Sequence, residues 1–503
     1  MRHSLLIISF MICALPFYSN AQNSFEEFEK RTRQEYDTFL KQASDDYNSF
    51  QKKANEDYEN FREKANDEYA NFIKKTWKKY SASKTPTKQD QTPTPPQPYN
   101  NEPIKDRTTP INKYINSLPI SIPRPSPIEP IKEQPQYNDS ISFIFYGCNL
   151  NVRLGDSQKF VLPNISNSSI LTAWKKLSSS QYNNAINDCL EIRDKYNLCD
   201  WAYLLMLKEL ANTFTAKGSN EATLLMAYIY SQSGYKMRLA TNGSKLYMLY
   251  ACNHTIYGSI YFYIDNTQFY PFEYNGNNLN ICEGSFPNEQ PLSFNMQQLP
   301  ILSKTTSFGR ELKSSKYTQA KATISVNTQL IDFYNTYPSS QIGDNFMTRW
   351  AIYANTPLSE NAKNSLYPTL KKAIENVSQL EAADRILNFV QTAFDYKSDK
   401  NVWGEDRAFF PDETLYYPYS DCEDRSILFS RLIRDLLNLE VALVYYPGHM
   451  ATAIHFTTDV KGDNFIHNGK KFVICDPTYI NALVGASMPQ FRGCKDISVI
   501  LLD

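Results

Sequence analysis

The chain has 503 residues and a net charge of −1, with 52 Lys and Arg spread among 53 Asp and Glu. That balance excludes the basic footprint of a nucleic-acid binder and gives no reason to expect a strongly acidic partner. At 42% hydrophobic residues, the length suffices for roughly two or three packed domains.

The chain opens Met1-Arg2-His3, followed by an apolar run from Leu5 to Leu15 and then Ser19-Asn20-Ala21. This order reads as a cleavable secretory signal over residues 1–21, so the mature protein is expected to be secreted or periplasmic. The run is too short to cross a bilayer, and no later stretch reaches spanning length, so no transmembrane anchor is expected. Cys13, inside the run, is a poor lipidation site. The other cysteines are Cys148, Cys189, Cys199, Cys252, Cys282, Cys422, Cys475 and Cys494. Their scatter over a large chain is not the dense framework of a small disulfide-stapled domain.

Residues 22–80 repeat on an eleven-residue period. Phe28, Phe39, Phe50, Phe61 and Phe72 are each followed by Tyr36, Tyr47, Tyr58, Tyr69 and Tyr80, with Thr32, Ala43, Ala54, Ala65 and Thr76 between them. Steps of four, four and three keep the three columns on one stripe, which predicts a long amphipathic helix of hendecad coiled-coil type. Such a stripe needs a cover, so self-association or a protein partner is expected through residues 25–80. The mixed charge of the polar face argues against a membrane surface. Residues 81–137 are rich in Thr, Gln, Ser and Pro, as in Pro93-Thr94-Pro95-Pro96. They read as an extended tether unable to form a core.

The body is expected to be α+β and built twice. A strand at Ile141–Tyr146, four helical stretches between Ile170 and Ser233, and alternation through Tyr247–Tyr270 make a first domain over residues 138–275. Shifted by 204 residues, Leu224-Leu225 and Tyr228-Ile229 fall on Leu428-Phe429 and Leu432-Ile433, and Gly218 falls on Cys422. The first half therefore reads as a degenerate copy of residues 356–503, with a mainly β spacer over residues 276–355.

The chemistry concentrates in the second copy. Ser420 and Glu423 fit a capping box that places Cys422 in the first turn of a helix running through Leu437. A helix start lowers a thiol's pKa and favours the nucleophilic thiolate. Glu440–Tyr446 reads as a strand, Pro447-Gly448 as a turn, His449 as the start of a strand to Phe456, and Lys471–Cys475 as the strand that ends at Asp476-Pro477. If the last two strands pair antiparallel, His449 and Asp476 become neighbours. Asn468-Gly469 is the strongest hairpin signal nearby; as the main tip it would hold the two apart, so it is taken as a minor turn. A thiol, an imidazole and a carboxylate at element edges form the inventory of a cysteine nucleophile, its base and an orienting group. Without a close Cys or His pair, neither a metal nor a cofactor is expected.

Cys422 opening a helix, Gly448-His449 at a strand start and Asp476-Pro477-Thr478-Tyr479 after the next strand resemble the bacterial transglutaminase-like superfamily. Ile386–Tyr396 resembles the helix that begins its core. The resemblance covers about residues 356–503 and implies a papain-like helix-plus-antiparallel-sheet core. It implies Cys422 as nucleophile, His449 as base and Asp476 as partner, acting on a peptide or other amide through a thioester. Ser420 stands where the family often has Gly, and no oxyanion Gln is evident. The Cys422 amide is one expected oxyanion donor and Tyr416 or Tyr419 the second, and Asp424 is assigned to orienting the loop or shaping substrate choice. The rival expectations are a non-enzymatic scaffold with a relic triad and a Gln–Lys crosslinking enzyme.

Overall fold

A computed structural model describes residues 20–75, 77–88, 93–115, 124–127, 131–343 and 345–502. The expected signal over residues 1–21 falls almost wholly outside them. The architecture is mixed α+β. Among the described residues no helix is long and apolar enough to cross a membrane.

The repeat region forms one helix, α1 (Asn20–Lys75), uninterrupted because no Gly or Pro occurs in it. The chain divides into two compact units after Phe61. In the first, the aromatic stripe is open: Phe39, Tyr47 and Phe50 are 67%, 65% and 72% exposed. In the second, the final turns of α1 enter the core. Ala65, Asn66, Tyr69, Ala70 and Ile73 are buried, and the Tyr69 ring centroid lies 4.6 Å from those of both Trp174 and Phe286. The repeat outlasts the helix, since its last tyrosine, Tyr80, falls on the following strand β1 (Trp77–Ser81).

The Pro-rich segment departs most from its expected role as a tether. It supplies β2 (Ser83–Lys84), β3 (Gln97–Pro98), β4 (Arg107–Thr108) and β5 (Lys113–Ile115). Extended backbone that cannot pair with itself has free N–H and C=O groups: β2, β4 and β5 find partners on edges of the two large sheets, and β3 pairs with a short strand apart from them.

After hairpin β6 (Ile141–Phe145) and β7 (Cys148–Val152) come helices α2 (Asn167–Leu177), α3 (Asn183–Lys195), α4 (Asp200–Phe214) and α5 (Asn220–Gln232). Strands β8 (Met237–Asn242), β9 (Lys245–Ala251), β10 (His254–Ile256), β11 (Ile260–Ile264), β12 (Thr267–Pro271) and β13 (Asn278–Cys282) follow. Because β13 joins this sheet, the first half extends beyond residue 275. The expected β spacer is mixed: β14 (Arg310–Lys313), β15 (Lys321–Ile324), α6 (Thr328–Tyr334), β16 (Ser340–Ile342) and α7 (Thr348–Asn355). Asn327 caps α6, its side chain accepting from the Gln329 N–H, so local capping overrides the alternation that suggested a strand.

The second half contains α8 (Glu360–Ala373), α9 (Gln379–Thr392), β17 (Asp395–Tyr396), α10 (Asp399–Val402), α11 (Pro411–Tyr416), β18 (Tyr419–Ser420) and α12 (Cys422–Leu437). It closes with β19 (Glu440–Tyr446), β20 (His449–His455), β21 (Asp463–His467), β22 (Lys470–Cys475), β23 (Tyr479–Ile480) and β24 (Ser498–Leu501).

The two large sheets have corresponding orders, β2-β11-β12-β9-β8-β13-β1 and β4-β21-β22-β20-β19-β24-β5. β1, from the end of the repeat region, and the linker strand β2 form the two edges of the first sheet, both antiparallel, and the linker strands β4 and β5 form those of the second, both parallel. The second sheet is covered on both faces, which explains the continuous apolar run of β19. Val441 and Leu443 join the core containing α12, while Ala442 and Val444 face a second cluster that the linker's Tyr99 and Ile111 help to cover.

Candidate active site

Asp421, rather than Ser420, is the N-cap of α12. The reaching-back acid is accordingly Asp424, not Glu423: its Oδ2 accepts the Asp421 N–H at 3.2 Å and its Oδ1 the Phe409 N–H at 2.9 Å. The capping frame is thus one residue later than expected. It leaves Ser420 to accept a hydrogen bond from Arg425 Nε at 3.1 Å and frees Glu423 to meet the thiol. Asp424 ties the helix start to the loop before α11.

Arg425 fastens that start to the end of α9, with Nη1 donating to the Gln391 carbonyl at 3.1 Å and Nη2 to that of Phe394 at 2.8 Å. Gln391 also holds the turn after β22, its Nε2 lying 3.0, 2.8 and 3.1 Å from the carbonyls of Asp476, Tyr479 and Ala482. One helix end therefore positions both the Cys422 helix and the Asp476 turn.

β20 and β22 pair antiparallel, Thr452 opposite Cys475. Asn468-Gly469 is nevertheless a true hairpin tip, joining β21 to β22. The two facts are compatible because β22 lies between β21 and β20 and pairs with both. At its end, Asp476 Oδ1 accepts the N–H groups of Thr478 and Tyr479 at 2.9 and 3.1 Å. Its Oδ2 lies 2.9 Å from His449 Nε2. Both side chains are buried, and the imidazole stacks on Phe491 with ring centroids 4.8 Å apart and 5° between planes. With Nε2 engaged, His449 Nδ1 is buried without a hydrogen-bond partner among the described residues.

Cys422 and His449 line the same cavity, of about 480 Å³. The sulfur, however, donates to Glu423 Oε2 at 3.1 Å and not to the imidazole. Burial pushes the thiol well above its ordinary pKa, and the Glu423 and Asp421 carboxylates push it further, while the Met450 amide offsets part of this. The lowered thiol pKa expected from the helix start is thus reversed: desolvation and two adjacent acids outweigh the helix dipole.

Neither Tyr416 nor Tyr419 lines this cavity. Tyr416 lines a separate groove with Phe308 and Arg310, and Tyr419 carries Lys397 Nζ over its ring at 3.7 Å. The remaining wall comes from residues that the motifs do not mark: Pro86, Thr87 and Pro93 of the linker, Tyr257 and Gln341 of the first half and spacer, Trp350 of α7, and Asp399 and Asp406. The density of acids in Asp421-Cys422-Glu423-Asp424 was the one local signal of an acidic site; the other walls arrive only through tertiary packing.

In the first half, α5 opens with Asn220, as α12 opens with Cys422, and Gly218 lies in the loop before the N-cap Ser219. By element position it is Asn220, and not Gly218, that stands where the thiol stands.

No family model matches the chain, and no curated protein matches it at a significant level.

Proposed function

We propose that the protein is a secreted or periplasmic cysteine-dependent hydrolase of peptide or other amide bonds, of transglutaminase-like type with a papain-like core. The observation that carries this reading is the buried pair of His449 Nε2 and Asp476 Oδ2 at 2.9 Å. It leaves Nδ1 unpartnered on an imidazole whose cavity Cys422 also lines.

Because the thiol is held protonated, the reactive form is a neutral thiol with a neutral imidazole. Attack requires Sγ to leave Glu423 and turn to His449 Nδ1, which takes its proton as sulfur bonds to the amide carbon. Collapse of the tetrahedral intermediate breaks the C–N bond, and His449 returns the proton to the departing amine. Water then attacks the thioester, His449 accepting its proton; the acid leaves and the thiol is restored. Asp476 holds the ring orientation and stabilises the imidazolium. The Cys422 backbone N–H is the proposed oxyanion donor.

The Sγ to Glu423 hydrogen bond favours a second reading, a non-enzymatic binding protein that retains a relic triad. Incubating the full chain and its Cys422→Ala variant with a peptide library separates the two. The hydrolase reading expects products from the wild type and a loss of about a thousandfold or more in the variant. Indistinguishable product profiles would sink it.

A further inference from the structure

We propose that Asp399, Asp421 and Asp424 form a binding site for one hard divalent cation, Ca²⁺ in the first place, beside the Cys422 helix start. One carboxylate oxygen from each lies within 4.8 Å of those of the other two, and all three residues are buried. Oxygens sharing a Ca²⁺ at about 2.4 Å can be at most about 4.8 Å apart, so the spacing of the set is compatible with one shared ion. Carboxylate ligands alone select a hard cation over zinc or copper.

A crowd of acids does not by itself make a site. The independent observation here is Asp421 Oδ1, which is buried and has no hydrogen-bond donor among the described residues, in a residue only 2% exposed. An ionised oxygen in that position, with other carboxylates beside it, lacks the compensation that buried charge requires. The other two acids are held by uncharged backbone amides. The Arg407 N–H donates to Asp399 Oδ2 at 2.7 Å, and Asp424 accepts from Phe409 and Asp421. These bonds orient the ligands but bring no cation into direct contact with them. The nearby cations make their direct bonds elsewhere: Arg349 Nη1 lies 2.5 Å from Asp406 Oδ2, Lys88 donates to the Asp406 carbonyl and Arg425 to Ser420 and two carbonyls, so among the described residues none of the three acids has a direct ion pair. Asp399 and Asp421 also line the cavity, so an ion could enter from solvent and complete its shell with water.

The inference does not rest on Cys422 being a nucleophile, and its test does not read activity. The full chain is stripped with a chelator, exchanged into chelator-free buffer and titrated with CaCl₂ by calorimetry, with thermal melts in parallel. One saturable site and a rise of several degrees in Tm are expected. Asp399→Asn and Asp421→Asn are each expected to weaken binding about tenfold or more, whereas Cys422→Ala binds as the wild type does because sulfur is not a ligand. Terbium luminescence on the wild type, displaced by Ca²⁺, reads the site should either Asp variant fail to fold. Absence of saturable binding in the wild type overturns the proposal. So does wild-type affinity in both Asp variants, or loss of binding in Cys422→Ala, which would place the ion on the thiol side of the cluster.

Discussion

The junction between helix and hairpin is built twice in this chain, and only one copy is left open. In the first half, Asn220 closes it: its Oδ1 accepts the Leu246 N–H at 2.9 Å and its Nδ2 donates to the Ser244 carbonyl at 3.0 Å. Lys245, which begins β9, reaches the Gly218 carbonyl. In the second half the corresponding positions hold Cys422 and His449. The stitch lies one turn deeper, where Ser426 Oγ donates to the Met450 carbonyl at 3.0 Å. The cavities follow suit, about 160 Å³ at the first junction and about 480 Å³ at the second. A thiol and an imidazole can be spared for chemistry only where other side chains hold the elements together. Ser426, Arg425 and Gln391 provide that hold in the second half.

Three perturbations bear on this contrast. The largest effect is expected at Asp476. Asp476→Asn keeps the turn but removes the carboxylate from His449, so amide turnover should fall by about 10²- to 10⁴-fold. A fall in kcat/KM alongside an unchanged Tm would mark an orienting role, and a fall in Tm without loss of kcat/KM would deny it.

Next comes pH. Burial lowers the His254 pKa from 6.5 to about 4, and its Nε2 accepts the Phe294 N–H at 3.3 Å. The unfolded chain takes up this proton below about pH 6.5 while the fold refuses it until about pH 4. Stability is therefore lost as pH falls through that window, by about 3 kcal/mol. His254→Gln, which keeps an acceptor, should flatten this segment of the stability–pH curve in urea melts; an unaltered slope would assign the acid sensitivity to other groups.

The smallest effect is expected at Asn220. Asn220→Ala should cost about 1–2 kcal/mol through its two lost hydrogen bonds and leave amide turnover unchanged. Denaturation and peptide assays on the same preparation check both halves of that statement. A variant that loses turnover would show that the first junction is not merely structural.

Local pattern carried the elements around the site well. The strand expected over Glu440–Tyr446 has the observed bounds of β19, and His449 begins β20 as the turn at Pro447-Gly448 requires. These are short-range facts of alternation and turn chemistry. The capping frame lies one residue later than the sequence suggests because Ser420 and Asp421 are both good N-caps, and the Asp424 bond to the Asp421 N–H shows which is in use. The hairpin at Asn468-Gly469 was set against the pairing of β20 with β22 because a strand has two edges, and sequence does not say that both are taken. Nothing in the linker's composition announces edge strands. Pairing at an edge depends on the vacancy in the sheet, not on the segment that fills it.

The amino-acid sequence by itself determined the α1 helix through its eleven-residue period, the helix start at Cys422, the strand starts that carry His449 and lead to Asp476, and the doubling of helix-then-sheet units. Each follows from residues close together in the chain. Tertiary structure alone decided that Tyr69 is core while Phe50 is open, that the Pro-rich segment borders both sheets, and that Asp399 joins Asp421 and Asp424. It also decided that the thiol turns to Glu423. The physical reason is common to all four. Burial and charge proximity are set by segments distant in sequence, and they act on pKa and packing more strongly than the local helix start that the sequence displays.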